Sequence, residues 1–170
     1  MIREANETDI LNLRVLCTQV WLHSYAKDGI RTEISNFILN TFTHDYFEQR
    51  LNKSKYKIFV YEIDNHLVGC VIINLKSTFE NKINGYEIDT LYVQEHFQGQ
   101  GLGKEMLLCM AKQFGDTFWL STWIYNLSAI SFYNYLGFVD IGKIMFNLGT
   151  ELHENRVLAV KNILDGNNNI

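Results

Sequence analysis

Hydrophobic and polar residues follow two different periods along this chain. Apolar residues recur every three or four positions in "NETDILNLRVLCTQVWLHSY", "RTEISNFILNTF", "HDYFEQRL" and "LSAISFYNYLG", which predicts helices. Runs rich in β-branched and aromatic residues, "KIFVYEI", "HLVGCVIINLK", "YEIDTLYV" and "FWLSTWI", predict strands. The order of these elements predicts a mixed sheet flanked by helices.

Short polar or glycine-containing segments mark the ends of the predicted elements. Thr8 or Asp9 is expected to cap the first long helix. Asp64 and Asn65 are expected to form a hairpin turn between two strands, and Gly137 should end the last helix. The chain is predicted to open with a short strand in "MIREA" and to close with two strands, "FVDIGKIMFNL" and "RVLAVKNIL".

Length and composition indicate one globular unit. The chain has 170 residues, of which 47% are hydrophobic and 20% are charged, enough for one full core but not for two ordinary domains. We therefore predict a single domain over residues 1–164. The last six residues, "DGNNNI" at 165–170, are expected to form a flexible tail.

The sequence predicts a cytoplasmic protein that binds neither membranes nor metals. The first ten residues are charged where a signal peptide would be apolar, and no later run approaches the ~20 apolar residues of a membrane span. The three cysteines are odd in number and far apart in sequence, so we expect reduced thiols that serve as small apolar residues. The histidines lack the spacing of metal ligands.

Charge argues against nucleic acid as a partner. The formal net charge is −4, and lysine and arginine form no stripe that could neutralise many phosphates.

The segment "QGQGLG", Gln98–Gly103, lies between a predicted strand and a helix predicted from about Gly101 to Phe114. Such a turn directs several backbone N–H groups at one point, and the helix N-terminus adds partial positive charge, which favours phosphate binding. Part of the turn should need positive φ, which glycine allows. The residues after Gly103 match neither the dinucleotide fingerprint nor the nucleoside triphosphate loop. A purely structural turn is the alternative.

This turn resembles the pyrophosphate-binding signature Gln/Arg-x-x-Gly-x-Gly/Ala of the GNAT superfamily of acetyl-CoA-dependent N-acetyltransferases. The preceding "EIDTLYV", the later "NLSAISFYNYLGF" and the opening "IREANETDI" also resemble that family. The segment "WLSTWIYNLSAISFYNYLGFVDIGKIMFNLG" is similar to the bacterial PaiA-type branch, whose members acetylate polyamines. Gln98 stands where arginine is commoner, and the loop lacks the usual proline.

The resemblance implies an α/β (α+β) GNAT fold and a site for acetyl-CoA. The sheet would be mixed, twisted and mostly antiparallel, of about seven strands, with two central parallel strands splayed to hold the coenzyme. The backbone of Leu91, Tyr92 and Val93 would pair with the pantetheine arm, and Asn126 would bind it or hold the splay, unless Asn126 only forms a turn. The pyrophosphate would bind the amides of Gln98, Gly99, Gln100, Gly101, Leu102, Gly103 and Lys104.

Three side chains are candidate catalytic groups. Strand alternation places Glu87 and Asp89 on one face, together with Leu91 and Val93. By resemblance, Glu87 stands where relatives carry the proton acceptor, and Tyr133 of "AISFY" would protonate the coenzyme A thiolate. The alternatives are carboxylates at a solvated strand end and a tyrosine that packs in the core.

The acceptor is expected to be a small polyamine-like amine. The helices after the first strand combine rings with acids and could hold a long cation. These residues are Trp21, Tyr25, Phe37 and Phe42 with Asp28, Glu33, Asp45 and Glu48. An ordinary amphipathic helix pair shows the same mixture. A protein N-terminus, a lysine or an aminoglycoside are alternative acceptors, and a coenzyme A-binding module without turnover is another class. Apolar residues in the last strands suggest a homodimer.

Overall fold

A computed structural model describes residues 1–165 of this chain. The described part divides into two compact units: Met1–Ile73 with Thr90–Met106, and Asn74–Asp89 with the segment from Leu107 onward. The single domain over residues 1–164 stays a prediction. Residues 166–170 of the tail that was predicted to be flexible lie outside the described residues.

The first unit carries most of the helices that precede the glycine turn. Its elements are β1 (Ile2–Glu4), α1 (Ile10–Tyr25), α2 (Thr32–Thr41), α3 (His44–Asn52), β2 (Tyr56–Ile63) and nearly all of β3 (His66–Asn74). The second half of β4 (Tyr86–Val93) and the first residues of α4 (Leu102–Phe114) also belong to it. No helix within residues 1–165 has the length and apolar character needed to cross a bilayer.

The second unit is formed by the first half of β4, the rest of α4 and the elements that follow. These are β5 (Phe118–Trp123), α5 (Leu127–Tyr135), β6 (Val139–Leu148) and β7 (Glu151–Val160). Within residues 1–165, seven strands form one sheet in the order β1-β2-β3-β4-β5-β7-β6. Strands β4 and β5 are parallel, whereas β1/β2, β5/β7 and β6/β7 are antiparallel. The predicted fold class is confirmed.

Local turn chemistry explains the element ends that were predicted well. Asp64 and Asn65 have φ of 49° and 63°, the left-handed pair that suits a two-residue hairpin turn. Gly137 follows α5 with φ of 84°, as expected for a residue that ends a helix.

One predicted boundary and one predicted capping bond need correction. The last strand begins at Glu151 and ends at Val160, whereas "RVLAVKNIL" placed it at 156–164. Its first residues are mostly polar and lack the hydrophobic pattern of a buried strand. They form a strand because they pair with β6, beginning with Leu148 and Glu151 on either side of a short turn. Asp9 does occupy the N-cap position of α1, yet its side chain makes no capping hydrogen bond to that helix.

The Asp9 carboxylate instead binds Arg3. Two hydrogen bonds of 2.8 Å join the Arg3 guanidinium to both carboxylate oxygens, and the Asn6 backbone N–H donates to Asp9 Oδ2 at 2.8 Å. Arg3 Nε also donates to Glu62 on β2 at 3.1 Å. Because Asp9 is only 5% exposed, these bonds replace its water. The hydrogen bonds from Arg3 are the main cause that lowers the pKa of Asp9.

This network predicts a stability difference that depends on pH. Replacing Arg3 by glutamine should lower the free energy of unfolding by about 2 kcal/mol at pH 7, because Asp9 is left buried and poorly paired. The pKa of Asp9 is lower in the folded protein than in the unfolded chain, where it is about 3.9. The stabilisation by Arg3 is therefore fully present above pH ~3.9 and is lost as the pH falls through the lower pKa of the folded protein. Urea unfolding of both proteins at pH 7 and near pH 3 measures the difference.

Lys57→Gln is the matched control, because Lys57 makes an exposed ion pair of 2.8 Å with Glu4. That substitution should cost less than about 1 kcal/mol. An equal loss in both variants, or no loss for Arg3→Gln at pH 7, contradicts the stabilising role of the buried network.

All three cysteines lie in the described part, and none of them forms a disulfide there. Cys17 on α1 and Cys70 on β3 are fully buried, with their Sγ atoms 3.8 Å apart, and Cys109 is half-buried. The burial of the first two agrees with their use as small apolar residues.

Candidate functional site

The glycine turn has the backbone geometry that anion binding requires. Gly99 and Gly101 have φ of +74° and +87°. A Cβ atom built on either would meet no heavy atom within 4 Å beyond the neighbouring residues. Helical bonding begins with the Glu105 N–H, which donates to the Gly101 carbonyl at 3.0 Å, so the amides just before Glu105 have no acceptor within the helix. The turn therefore presents open backbone at the positive end of α4.

Two glutamine side chains brace this turn. Gln98 Nε2 donates to the Val93 carbonyl at 2.9 Å, and Gln100 Nε2 donates to the His96 carbonyl at 3.0 Å. The Gln98 backbone N–H donates to the Glu95 carbonyl at 3.1 Å. Gln98 thus shapes the loop, and the amides from Gly99 to Lys104 are left as the better candidates for phosphate. The sequence indicated Gln98 as a backbone donor and did not predict the hydrogen bond that its side chain makes with Val93.

The remaining residues of the turn differ in their exposure. Leu102 is buried, whereas Gly103 and Lys104 are half-buried inside the first turn of α4. Glu105 Oε2 accepts a 2.7 Å hydrogen bond from the Tyr61 hydroxyl, and this bond is the main cause that raises the pKa of Tyr61. A carboxylate therefore stands beside Lys104 in sequence and is held by β2.

Leu91, Tyr92 and Val93 are half-buried at the end of β4 in the first unit. Burial raises the pKa of the Tyr92 phenol well above its usual value. Tyr25 is the next contributor to that rise. The Val93 carbonyl accepts a hydrogen bond from Gln98, so the other backbone groups of residues 91–93 are the candidate partners for pantetheine.

Glu87 and Asp89 lie on the half of β4 that belongs to the second unit. The pairing of β4 with β5 joins Tyr86 to Phe118 and Glu87 to Trp119 and does not extend to Asp89, although β5 continues to Trp123 beside β7. Glu87 is half-buried and Asp89 is exposed, whereas the alternate positions 86, 88 and 90 are buried. The alternation of β4 follows the prediction over these residues.

Tyr133 lies on α5, and Asn126 immediately precedes that helix. The Tyr133 side chain is mostly buried, at 7% exposure, and its ring centroid lies 5.2 Å from that of Phe132 and 5.3 Å from that of Phe138. Asn126 is the N-cap, and its Oδ1 accepts the Ala129 N–H at 3.3 Å. The Asn126 N–H donates to the Trp123 carbonyl at 2.9 Å, which ties the helix to the end of β5. Both residues therefore have structural tasks.

The candidate residues fall into two groups. The first unit brings together the end of β4 and the glycine turn, and the second unit contains Glu87, Asp89, Asn126 and Tyr133. Two buried polar atoms of the second unit, Tyr86 Oη and Trp119 Nε1, have no hydrogen-bond partner within residues 1–165. Tyr86 precedes Glu87 in the sequence, and Trp119 is the residue that pairs with Glu87 on β5. The sequence pattern alone did not indicate that these two polar atoms would be buried.

One group of possible metal ligands occurs among the described residues. His44, Asp45 and Glu48 offer ligand atoms within 4.8 Å of one another on the first turns of α3. His44 and Asp45 are exposed, and exposed acidic groups commonly occur without an ion. The expected absence of a metal stays a prediction.

Comparisons with known proteins give consistent matches. A family model described as "Acetyltransferase (GNAT) family" matches residues 23–138. An uncharacterized N-acetyltransferase in the pepI 3' region of Lactobacillus delbrueckii subsp. lactis is 22% identical over 157 residues, 88% of this chain and 90% of that protein. The spermine/spermidine N(1)-acetyltransferase of Bacillus subtilis is 30% identical over 91 residues, 49% of this chain and 60% of that protein.

The fold comparison agrees with these matches. The crystal structure of PaiA N-acetyltransferase from Thermoplasma acidophilum in complex with coenzyme A superposes with a TM-score of 0.71. The alignment covers 92% of this chain and 96% of that one, at 17% sequence identity. At this identity the likeness establishes a shared fold.

Proposed function

Because the chain belongs to the GNAT family of acetyltransferases, we propose that it transfers the acetyl group of acetyl-CoA to a primary amine of a small, polyamine-like acceptor. The observation that carries the proposal is the glycine turn. Gly99 and Gly101 adopt positive φ beside open space at the N-terminus of α4, where an anion can approach the amides.

Each part of the coenzyme is assigned to its own set of backbone or side-chain groups. The amides from Gly99 to Lys104 would hold the pyrophosphate, and Lys104 could add a charge-assisted bond. The backbone of 91–93 would bond the pantetheine arm. Asn126 would contribute through its Nδ2 atom, because its Oδ1 atom caps α5.

Direct transfer in a ternary complex requires one proton acceptor and one proton donor. A substrate ammonium must lose a proton before its nitrogen can attack, and we assign that proton to Glu87, directly or through water. As the C–N bond forms and the C–S bond breaks, Tyr133 would donate its proton to the departing thiolate. The attacking nitrogen would lose its remaining extra proton to solvent, and the Tyr133 phenolate would regain a proton from solvent. A tyrosine of ordinary pKa near 10 can donate at pH 7, and a thiolate of pKa about 8.5 can accept.

The acceptor assignment rests on the aromatic and acidic residues of the first unit. The Trp21 ring lies 4.8 Å from both Tyr25 and Phe37, and Tyr25 and Phe37 are half-buried. Asp28 and Asp45 are exposed and Glu33 and Glu48 half-buried, so carboxylates are available for ammonium groups while rings cover methylenes. The Bacillus subtilis relative, which is named for spermine and spermidine, supports this choice.

Tyr46 is a poorer candidate for binding a cationic acceptor than the other rings of this region. The Arg50 guanidinium lies 3.6 Å from the centroid of the Tyr46 ring and 4.8 Å from that of Tyr56. A cation already occupies that face of Tyr46. The rings of α1 and α2 are therefore the better candidates for a polyamine.

Substitution of the two β4 carboxylates separates their roles. Glu87→Gln should lower kcat about tenfold at neutral pH, because solvent can partly replace the proton acceptor at a half-buried site. Asp89→Asn, two residues away and exposed, should leave kcat within about twofold. Steady-state rates of both variants against pH make the measurement. The opposite ranking would transfer the proton acceptor to Asp89.

Thiol release from acetyl-CoA tests the whole proposal. The purified protein is incubated with acetyl-CoA and, separately, spermidine, spermine, an aminoglycoside and a peptide. Release with the polyamines alone supports the acceptor assignment, and release with another class retains the transferase and replaces the acceptor. Binding of acetyl-CoA in calorimetry without release for any amine would favour a coenzyme A-binding module.

A homodimer and a cytoplasmic location belong to the same proposal. Apolar side chains on the last strands support the dimer, since Val139, Met145 and Leu152 are 61%, 43% and 59% exposed. Sedimentation equilibrium and cell fractionation test these two points.

A further inference from the structure

Helix α1 contacts the segment that leads into the glycine turn at two consecutive residues. Gln94 Nε2 donates to Gln19 Oε1 at 3.2 Å, and His23 Nδ1 lies 3.2 Å from Glu95 Oε2. Gln19 and His23 are four residues apart and therefore lie on one face of the helix. All four residues belong to the first unit.

The two contacted residues also hold the start of the turn. The Gln94 carbonyl accepts the Phe97 N–H at 2.9 Å, and the Glu95 carbonyl accepts the Gln98 N–H at 3.1 Å. The Gln94 N–H is anchored to the Val68 carbonyl of β3 at 2.9 Å. A shift of this segment would therefore pass directly to Gln98 and to the glycines after it.

We infer that Gln19 and His23 are positioning residues for the coenzyme: they hold residues 94–95 so that the turn amides point at the pyrophosphate. This inference rests on the proposed function, because it assumes that the turn binds pyrophosphate. The inferred role acts through residues 94–95 and requires no contact between these two side chains and the coenzyme. The two side chains would raise affinity by ordering the loop in the free protein, so that binding of the ligand does not have to reduce the loop's conformational entropy.

The His23–Glu95 pair is suited to a test by substitution, because the two side chains are 46% and 56% exposed and their replacement should disturb little packing. Calorimetry with acetyl-CoA should show about threefold weaker binding for His23→Ala and for Glu95→Ala, a size typical of exposed pairs. The double variant should be no weaker than either single variant, since both remove the same contact. Reversing the pair with His23→Glu and Glu95→Lys should restore affinity.

Two comparisons separate positioning from general stability. Lys57→Ala breaks another exposed ion pair of the first unit, with Glu4 at 2.8 Å, and should leave affinity unchanged. Titration with pantetheine, which lacks the pyrophosphate, should give equal affinities for the wild-type protein and the His23 and Glu95 variants. A merely structural role would weaken the binding of both ligands.

The outcomes distinguish this inference from the proposed function. Failure of the wild-type protein to bind acetyl-CoA would overturn the function and the inference together. Wild-type binding with unchanged affinity in the His23 and Glu95 variants would overturn the inference alone. Weaker binding that the reversed pair does not restore would also overturn it, because the contact would not be the cause.

Discussion

Replacing Gly101 by valine should abolish the binding of acetyl-CoA in isothermal titration calorimetry. Gly101 has φ of +87°, which a β-branched residue adopts only with strain, and its missing Cβ points into open space. In the free protein a Cβ at this position meets no heavy atom within 4 Å beyond its chain neighbours, so the expected steric conflict is with the ligand. We expect a loss of affinity on the order of 100-fold or more, since each 1.4 kcal/mol is worth tenfold.

Gly115 provides a control with the same backbone demand. It has φ of +107° at the end of α4, and a Cβ built there also meets nothing within 4 Å. Gly115→Val should therefore introduce backbone strain similar to that of Gly101→Val, about 1–3 kcal/mol, and leave acetyl-CoA binding intact. Undiminished affinity of Gly101→Val would refute the assignment of phosphate to this turn. Equal loss of affinity in both variants would show that strain, and not access to the amides, is responsible.

Local patterns predicted the elements around the turn because their causes are local. Strand β4 runs from Tyr86 to Val93 as its alternation indicated, and α4 ends at Phe114 as predicted. The left-handed glycines at 99 and 101 also follow from short-range sterics. These features depend on residues within a few positions of one another, which one sequence displays directly.

Contacts between distant positions could not be predicted in the same way. Arg3 and Glu62 are 59 residues apart, and Cys17 and Cys70 are 53 apart, yet each pair meets within a few ångströms. No periodicity records such meetings, because they depend on the register of the folded sheet. The start of β7 at Glu151 was missed for the same reason.

In the candidate site, too, the sequence indicated which residues matter but not which groups they contact. The sequence indicated Asn126 as a polar residue after a strand, but only the structure shows that its Oδ1 caps α5. It indicated Gln98 as part of a motif, but not that its side chain closes a loop on Val93. A side-chain amide can reach several carbonyls, and the backbone path decides which one is close enough.

Replacing Tyr133 by phenylalanine should lower kcat by about 100-fold, the scale of a general acid, and leave acetyl-CoA affinity nearly unchanged. The ring packs against Phe132 and Phe138 and is mostly buried, so phenylalanine preserves the packing while it removes the hydroxyl. Thermal melting of the variant should therefore stay close to that of the wild type. Rates from thiol release and affinity from calorimetry complete the measurement.

Tyr135 makes the matched control, because it lies on the same helix and is 71% exposed. Tyr135→Phe removes an identical hydroxyl and should keep kcat within about twofold. If Tyr133→Phe also keeps near-normal turnover, Tyr133 serves the core alone, as its spacing and its aromatic neighbours would suffice to explain. If kcat falls while affinity and melting hold, packing cannot account for the loss, since the ring remains in place, and the missing proton donor is left as the cause.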